Sequence, residues 1–202
     1  MTTYLDTDRL RLRRFTGADL DDVHALHSDP AVLRYLGRPA TREYVRDTTL
    51  PWYLDLYERI PGFGYFAAIE KATEAFLGWF LFRPPMAENA PPGEIELGYR
   101  LRQAAWGRGF ATEGSVGLVD KGFTGLGVQR VIATTMTVNR GSRRVMEKVG
   151  LRYVRTFHPD WPDPLEGSEH GEVEYALTRD EWRRSRTPSA AGPWPAPATP
   201  PR

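Results

Sequence analysis

The chain contains no cysteine. That excludes disulfides, a thiolate nucleophile, thiolate zinc sites and an acyl-cysteine intermediate. Lysine is scarce, at Lys71, Lys121 and Lys148 only, so arginine carries the positive charge. The excess of that charge is small: a formal net charge of +1 over 202 residues offers no basic field for nucleic acid. No apolar run approaches the ~20 residues of a membrane span. The opening MTTYLDTDRL lacks the apolar core of a signal peptide. A cytoplasmic protein without membrane or nucleic-acid partners is expected. With 41% hydrophobic and 26% charged residues, the composition suits one soluble domain with a sizeable core.

What is present alternates between strand and helix patterns. Arg9 to Phe15 (RLRLRRF) places Leu10 and Leu12 on one face of a strand, and its arginines predict a wet or edge-facing other side. Thr16 and Asp19 form a capping-box-like start to a helix that Asp29-Pro30 ends. Thr41 is a second N-cap, and Pro51 predicts a split or a new helix start beside the aromatic run Trp52, Tyr53 and Tyr57. Those rings either cover the core or wall a substrate pocket. Residues 64–70 and 75–82 read as a hairpin, and a proline-rich loop over 83–93 leads to a central strand, 94–101.

A helix over 111–126 follows, weakened by Gly114, Gly117 and Gly122, which close packing against a sheet or a ligand would explain. Gly125 and Gly127 follow that helix and precede a strand, the reverse of a dinucleotide-binding turn. A strand over 128–135 and a helix from the Asn139 cap to Gly150 come next. Two last strands, 151–158 and 172–177, flank a mobile loop rich in proline and acid. The order predicts a mixed α/β (α+β) fold of about seven strands and about four helices, in one domain over 1–184. The last 18 residues, 185–202, hold six of the seventeen prolines and read as a disordered tail.

The stretch Glu94 to Thr112, EIELGYRLRQAAWGRGFAT, is a strand, a polar turn and a glycine pair that opens a helix. Bare N–H groups at a helix start attract anions, and glycine lets the backbone approach closely. Trp106-Gly107-Arg108-Gly109-Phe110-Ala111-Thr112-Glu113 resembles the acyl-CoA-binding motif of the GNAT acetyltransferases, in the form seen in the Rim-type branch that acetylates ribosomal-protein amino termini. Asn139-Arg140-Gly141-Ser142 and the following Val145 to Leu151 resemble that branch's second motif. Thr7 to Arg13 and Glu174 to Trp182 are similar to its first and last strands, so the resemblance covers roughly residues 7–183. Trp106 stands where the wider family has Gln or Arg, which moves one polar contact to backbone or elsewhere.

The resemblance implies a GNAT-like fold whose central strand splays from the strand over 128–135, with Gly98 as the place for a bulge. It implies acetyl-CoA as co-substrate, held by Tyr99, Leu101, Trp106, Gly107, Arg108, Gly109, Phe110, Ala111, Thr112, Asn139 and Ser142. The acceptor would be a primary amine, on a small molecule or a protein N-terminus. Glu96 is the expected general base, and it reads equally as a solvated or ion-paired strand residue. Glu94 shares its face, and Asp160 and Glu172 are further carboxylate candidates. Ser142 is the expected proton donor to the leaving sulfur, and it reads equally as a second cap. His24, His27, His158 and His170 have no metal-ligand spacing, so no metal is expected. A monomer or homodimer is expected. A catalytically silent acyl-CoA-binding module, or an enzyme using another acyl-CoA, are the competing readings.

Overall fold

The computed structural model describes residues 3–186 apart from Glu88 and Pro162. It is built on one mixed sheet whose strands lie in the order β1-β2-β3-β4-β5-β6-β8-β7. These are β1 (Thr3–Asp6), β2 (Leu10–Arg14), β3 (Gly64–Glu70), β4 (Phe76–Arg83), β5 (Glu94–Leu101), β6 (Arg130–Met136), β7 (Arg152–Phe157) and β8 (Glu172–Thr178). The helices are α1 (Leu20–Ser28), α2 (Pro30–Leu33), α3 (Arg42–Tyr44), α4 (Leu50–Arg59), α5 (Phe110–Gly125), α6 (Arg140–Val149) and α7 (Arg179–Arg186). A π-helical turn, Val45–Thr49, joins α3 to α4.

Seven of the eight strands are the expected ones. The extra strand is β1, an edge strand of four residues too short to show a period, which the Tyr4 ring pins by stacking 3.7 Å from Phe66. It covers β2, so the arginine face of β2 is neither at an edge nor fully wet. Arg13 is 11% exposed and meets the more deeply buried Asp19 carboxylate at 2.6 Å. Asp19 also accepts from the Thr16 N–H at 2.7 Å, so the predicted cap anchors the chain entering α1. Asp29 ends α1, and its side chain accepts from Ala31 N–H to start α2 at Pro30. Pro51 does not split the helical run, which continues from Arg42 to Arg59; the run changes to the wider π spacing over Val45–Thr49, just ahead of the proline.

Two cores sit on the two faces of the sheet. On one, α5 and α6 cover Phe80, Phe82, Leu97 and Tyr175 with Leu118, Val119, Phe123 and Met146. On the other, α1 to α4 cover Ala67, Ile69, Trp79 and Leu81 with Val23, Leu26, Val45 and Tyr53. The helix glycines answer to the sheet: a Cβ on Gly114 would stand 2.3 Å from the Phe80 ring, and one on Gly122 would stand 2.6 Å from Phe82. The aromatic run is therefore mostly core, since Tyr53 and Tyr57 are buried. Helix α7 runs to Arg186, two residues past the expected domain end. The rest of the expected tail, 187–202, lies outside the described residues. No helix among the described residues is long and apolar enough to cross a membrane.

Candidate active site

Strands β5 and β6 pair in parallel over three residue pairs only, Glu94↔Arg130, Ile95↔Val131 and Glu96↔Ile132. Beyond these, β5 continues to Leu101 against β4, and β6 continues to Met136 against β8. The sheet therefore parts along its middle. The parting needs no bulge at Gly98, which pairs in unbroken register with Leu81. Its closed end is fastened by charge. Arg130 pairs with Glu94 and donates to Glu174 Oε1 at 3.0 Å, and Arg155 Nε donates to the other Glu174 oxygen at 2.8 Å. Burial works against the Arg130 charge, yet the two carboxylates outweigh it and raise its pKa. Glu94 is spent in this clamp and buried, so it is no candidate base. Unpaired strand edges such as those facing the gap are templates for an extended partner.

The glycine turn lies where β5 ends. Gly107 and Gly109 hold φ of +70° and +84°, which a Cβ would disfavour, and nothing stands within 4 Å of where a Gly107 Cβ would be. The first bond of α5 runs from Glu113 N–H to the Gly109 carbonyl. The N–H groups of Gly109, Phe110, Ala111 and Thr112 precede it and have no carbonyl within the helix. The Trp106 indole N–H donates to the Leu101 carbonyl at 2.8 Å, while its ring is 48% exposed. Trp106 thus closes the turn, and Leu101, with its side chain in the core, contributes through backbone alone. Phe110 is likewise buried, with the guanidinium groups of Arg9 and Arg108 at 4.6 and 4.7 Å from its ring centre. Arg108 also reaches Glu70 at 2.6 Å, so part of its charge is compensated.

Two residues brace this turn that sequence reasoning did not assign. Arg9 donates to the Arg108 carbonyl at 3.0 Å and to Glu113 Oε2 at 2.7 Å. Glu113 also accepts from the Thr7 hydroxyl at 2.6 Å and the Arg9 N–H at 2.8 Å. Burial pushes the Glu113 pKa up, but these hydrogen bonds prevail and hold it below its ordinary value. The signal was the Glu113 that closes the first motif, an acid in the first turn of α5.

Across the gap, Asn139 caps α6 by accepting from Ser142 N–H at 3.2 Å, and its amide donates to Thr135 at 3.1 Å. The Tyr99 hydroxyl on β5 donates to the Ser142 carbonyl at 2.9 Å and lies 3.0 Å from Ser142 Oγ. With its one proton on the carbonyl, Tyr99 receives the proton of Ser142. Burial pushes the Tyr99 pKa up to about 12, so it remains neutral. This pair spans the two halves of the parted sheet on the α5/α6 side.

The opposite side carries Glu96. Its carboxylate is 3.2 Å from Arg83 Nη2 and 31% exposed, so the ion-pair reading of Glu96 is realised. Asp160 is exposed in the loop after β7. Glu172 shares the Glu96 face, since Glu96 pairs with Ile132 and Glu172 with Met136. It lies two strands away and four residues, about 13 Å, farther along β6. Burial raises the Glu172 pKa. His27 accepts from the Trp79 indole at 3.1 Å, and burial lowers its pKa to about 3. Among the described residues no group of acids and histidines could hold a metal ion. Of the predicted residues, the structure brings together the turn 106–112 at the end of β5, Tyr99 with Ser142 and Asn139, and Glu96 on the other face.

A family model described as an acetyltransferase (GNAT) domain matches residues 9–152. The FsC-acetyl coenzyme A-N(2)-transacetylase of Aspergillus fumigatus is 36% identical over 191 residues, covering 92% of this chain and 80% of that protein. A GNAT-family acetyltransferase from Bacillus anthracis superposes with a TM-score of 0.69 at 26% identity, covering 88% of this chain and 99% of that one. RimL, a ribosomal L7/L12 alpha-N-protein acetyltransferase in complex with coenzyme A, superposes with a TM-score of 0.73. That match covers 89% of this chain and 99% of RimL, and at 18% identity it is a likeness of fold.

Proposed function

The chain belongs to the GNAT acetyltransferase family and is an N-acetyltransferase, and on that premise we propose that it moves an acetyl group from acetyl-CoA to the primary amine of a small molecule by direct attack. One observation carries the reading. The sheet parts after Glu96, with a carboxylate on one face, a hydroxyl pair on the other, and open N–H groups at the end of the gap.

The residues fit the co-substrate. A pyrophosphate needs several N–H donors in a positive field, and Gly109 to Thr112 offer the donors beside Arg9 and Arg108. The edge of β5 from Leu97 onward supplies backbone groups for the pantetheine amides. When bound, acetyl-CoA brings an activated acyl carbon as its thioester.

The rest of the chemistry belongs to side chains. An ammonium has no lone pair, so the acceptor nitrogen must lose a proton before it bonds the acyl carbon. Glu96 takes that proton, through water, while Arg83 fixes its carboxylate. As the carbon–sulfur bond breaks, the Ser142 hydroxyl proton turns from Tyr99 to the sulfur and is given up to it, and Ser142 recovers a proton from solvent. A backbone N–H of β5 polarises the carbonyl. The small-molecule acceptor is supported by the name of the Aspergillus relative, an N(2)-transacetylase similar over most of this chain.

The test is an acceptor screen with mass detection, setting small amines against ribosomal-protein amino-terminal peptides. Acetylated small amines are expected, with Glu96→Gln and Ser142→Ala each lowering turnover while acetyl-CoA affinity is kept. Acetylated peptides alone would move the acceptor to protein N-termini. Acetyl-CoA binding without CoA release on any amine would make the chain a silent acyl-CoA module. Full activity in Glu96→Gln would remove Glu96 as the base.

A further inference from the structure

Among the described residues, Arg100 is a cation without a counter-ion. It lies near the end of β5 on the face that α1 to α4 cover, the same face as Glu96 and Gly98. Its guanidinium rests on the Trp79 ring, 5.1 Å from the centroid. Among the described residues it makes no ion pair, and its Nε is buried with no hydrogen-bond partner. Its neighbours explain neither its charge nor its direction. Arg83 pairs with Glu96, Arg102 with Asp22, and Arg108 with Glu70. Each of these three arginines has an acid, whereas Arg100 has aromatic surfaces and the neutral His27, which the same Trp79 indole hydrogen-bonds.

Those surfaces lie on the same face of the sheet as Glu96. Tyr65 stacks on Tyr53 at 4.0 Å and meets Trp79 edge-on at 5.1 Å. The charges of Arg83, Glu96 and Arg100 all act on the Tyr65 hydroxyl. Tyr65 is in register with Leu81 and, across it, with Gly98, level with the interval between Glu96 and Arg100. On β5 itself, the residue between Glu96 and Arg100 on this face is Gly98, which puts no side chain between them. A buried cation with an unused donor is costly unless a partner arrives with a ligand. A planar guanidinium lying on an aromatic ring still offers its N–H edge to a carboxylate, bidentately.

We propose that Arg100 binds a carboxylate of the acceptor, so that the amine acetylated by this protein belongs to an extended, carboxylate-bearing class. The assignment rests on the transfer reading above and deepens it. Glu96 and Arg100 are four strand residues apart, about 13 Å between Cα atoms before their side chains reach inward. The acceptor amine and carboxylate are therefore separated by several bonds.

The experiment compares matched acceptors in the full chain: 6-aminohexanoate with 6-aminohexanamide, and lysine with lysinamide and cadaverine. The readout is the ratio of kcat/KM for the carboxylate form over its neutral counterpart. Wild type is expected to favour the carboxylate tenfold or more, mainly through KM. In Arg100→Gln the ratio should collapse to near one, and Arg100→Lys should restore part of it. Parity in wild type, or an unchanged ratio in Arg100→Gln, overturns the proposal, whatever either variant does to overall rate. If Arg100→Gln does not fold, the wild-type ratio decides alone. If no amine is turned over, the transfer reading fails separately. Calorimetry with the CoA-bound protein then decides the subsite: carboxylate probes that bind while their amides do not uphold it, and equal binding or none overturns it.

Discussion

Removing one oxygen atom, in Tyr99→Phe, tests whether β5 and α6 act as a unit. The hydroxyl is the link between the halves of the parted sheet, 2.9 Å from the Ser142 carbonyl and 3.0 Å from Ser142 Oγ. The ring keeps its place beside Phe80, 6.4 Å between centroids, so packing is preserved. Two hydrogen bonds are lost, each contributing about 0.5–1.5 kcal/mol net, which predicts a stability loss of about 1–3 kcal/mol. The catalytic effect follows from the same contact. Without Tyr99 the Ser142 hydroxyl has lost the partner that fixes its rotamer, and a misdirected donor forfeits part of its contribution. A fall in kcat of roughly fivefold to tenfold, about 1–1.4 kcal/mol, is expected, with KM for acetyl-CoA within about twofold. The assay is a double-mutant cycle on kcat with Ser142→Ala, alongside urea denaturation. In the Ser142→Ala background, Tyr99→Phe should add less than about twofold, because its target is gone. An equal loss from Tyr99→Phe in both backgrounds would refute the reasoning.

Other expectations concern the scaffold and the spare carboxylate. Gly114→Ala drives a Cβ into the Phe80 ring, and against a helix-propensity gain of about 1 kcal/mol the net cost should be about 1–2 kcal/mol by urea denaturation. Gly125→Ala, with nothing within 4 Å of its Cβ, is the control and should lose nothing. Glu172→Gln is expected to raise the melting temperature at pH 7. Burial raises the folded-state pKa of Glu172, so folding favours its protonated form. The penalty on its charge is present at neutral pH and vanishes as pH falls below its unfolded value, so the gain over wild type should shrink toward nothing near pH 4. The same variant should keep its turnover, since Glu172 lies two strands from Glu96; a loss matching that of Glu96→Gln would transfer the base assignment to Glu172.

Local patterns carried far into this protein. The alternation of Glu94 to Leu101, the turn glycines, the Asn139 cap and the Gly150 stop are each set by a few neighbouring residues. They stand where the spacing put them, with Gly150 at a φ of +99°. Helix α1 begins and ends on its predicted signals for the same reason. Edge strand β1 escaped notice because four residues show no period. The three glycines of α5 left two explanations open, and the packing of Phe80 and Phe82 against Gly114 and Gly122 chose the sheet.

The sequence by itself determined the family, the order of the elements after β1 and the glycine turn that opens α5, because these rest on short-range conformational preference and a contiguous motif. Only the tertiary structure decided how the chemical groups are partnered. Glu94 and Glu96 are alike in sequence and share a face, yet Arg130 takes one into a buried clamp while Arg83 holds the other at the gap. Ser142 meets Tyr99 from 43 positions away, and Arg9 braces Glu113 from 104. Among the described residues Arg100 pairs with no acid, while Arg83, Arg102 and Arg108 each have one. Charge pairing at such separations depends on which strands lie side by side, and strand order is a property of the folded chain.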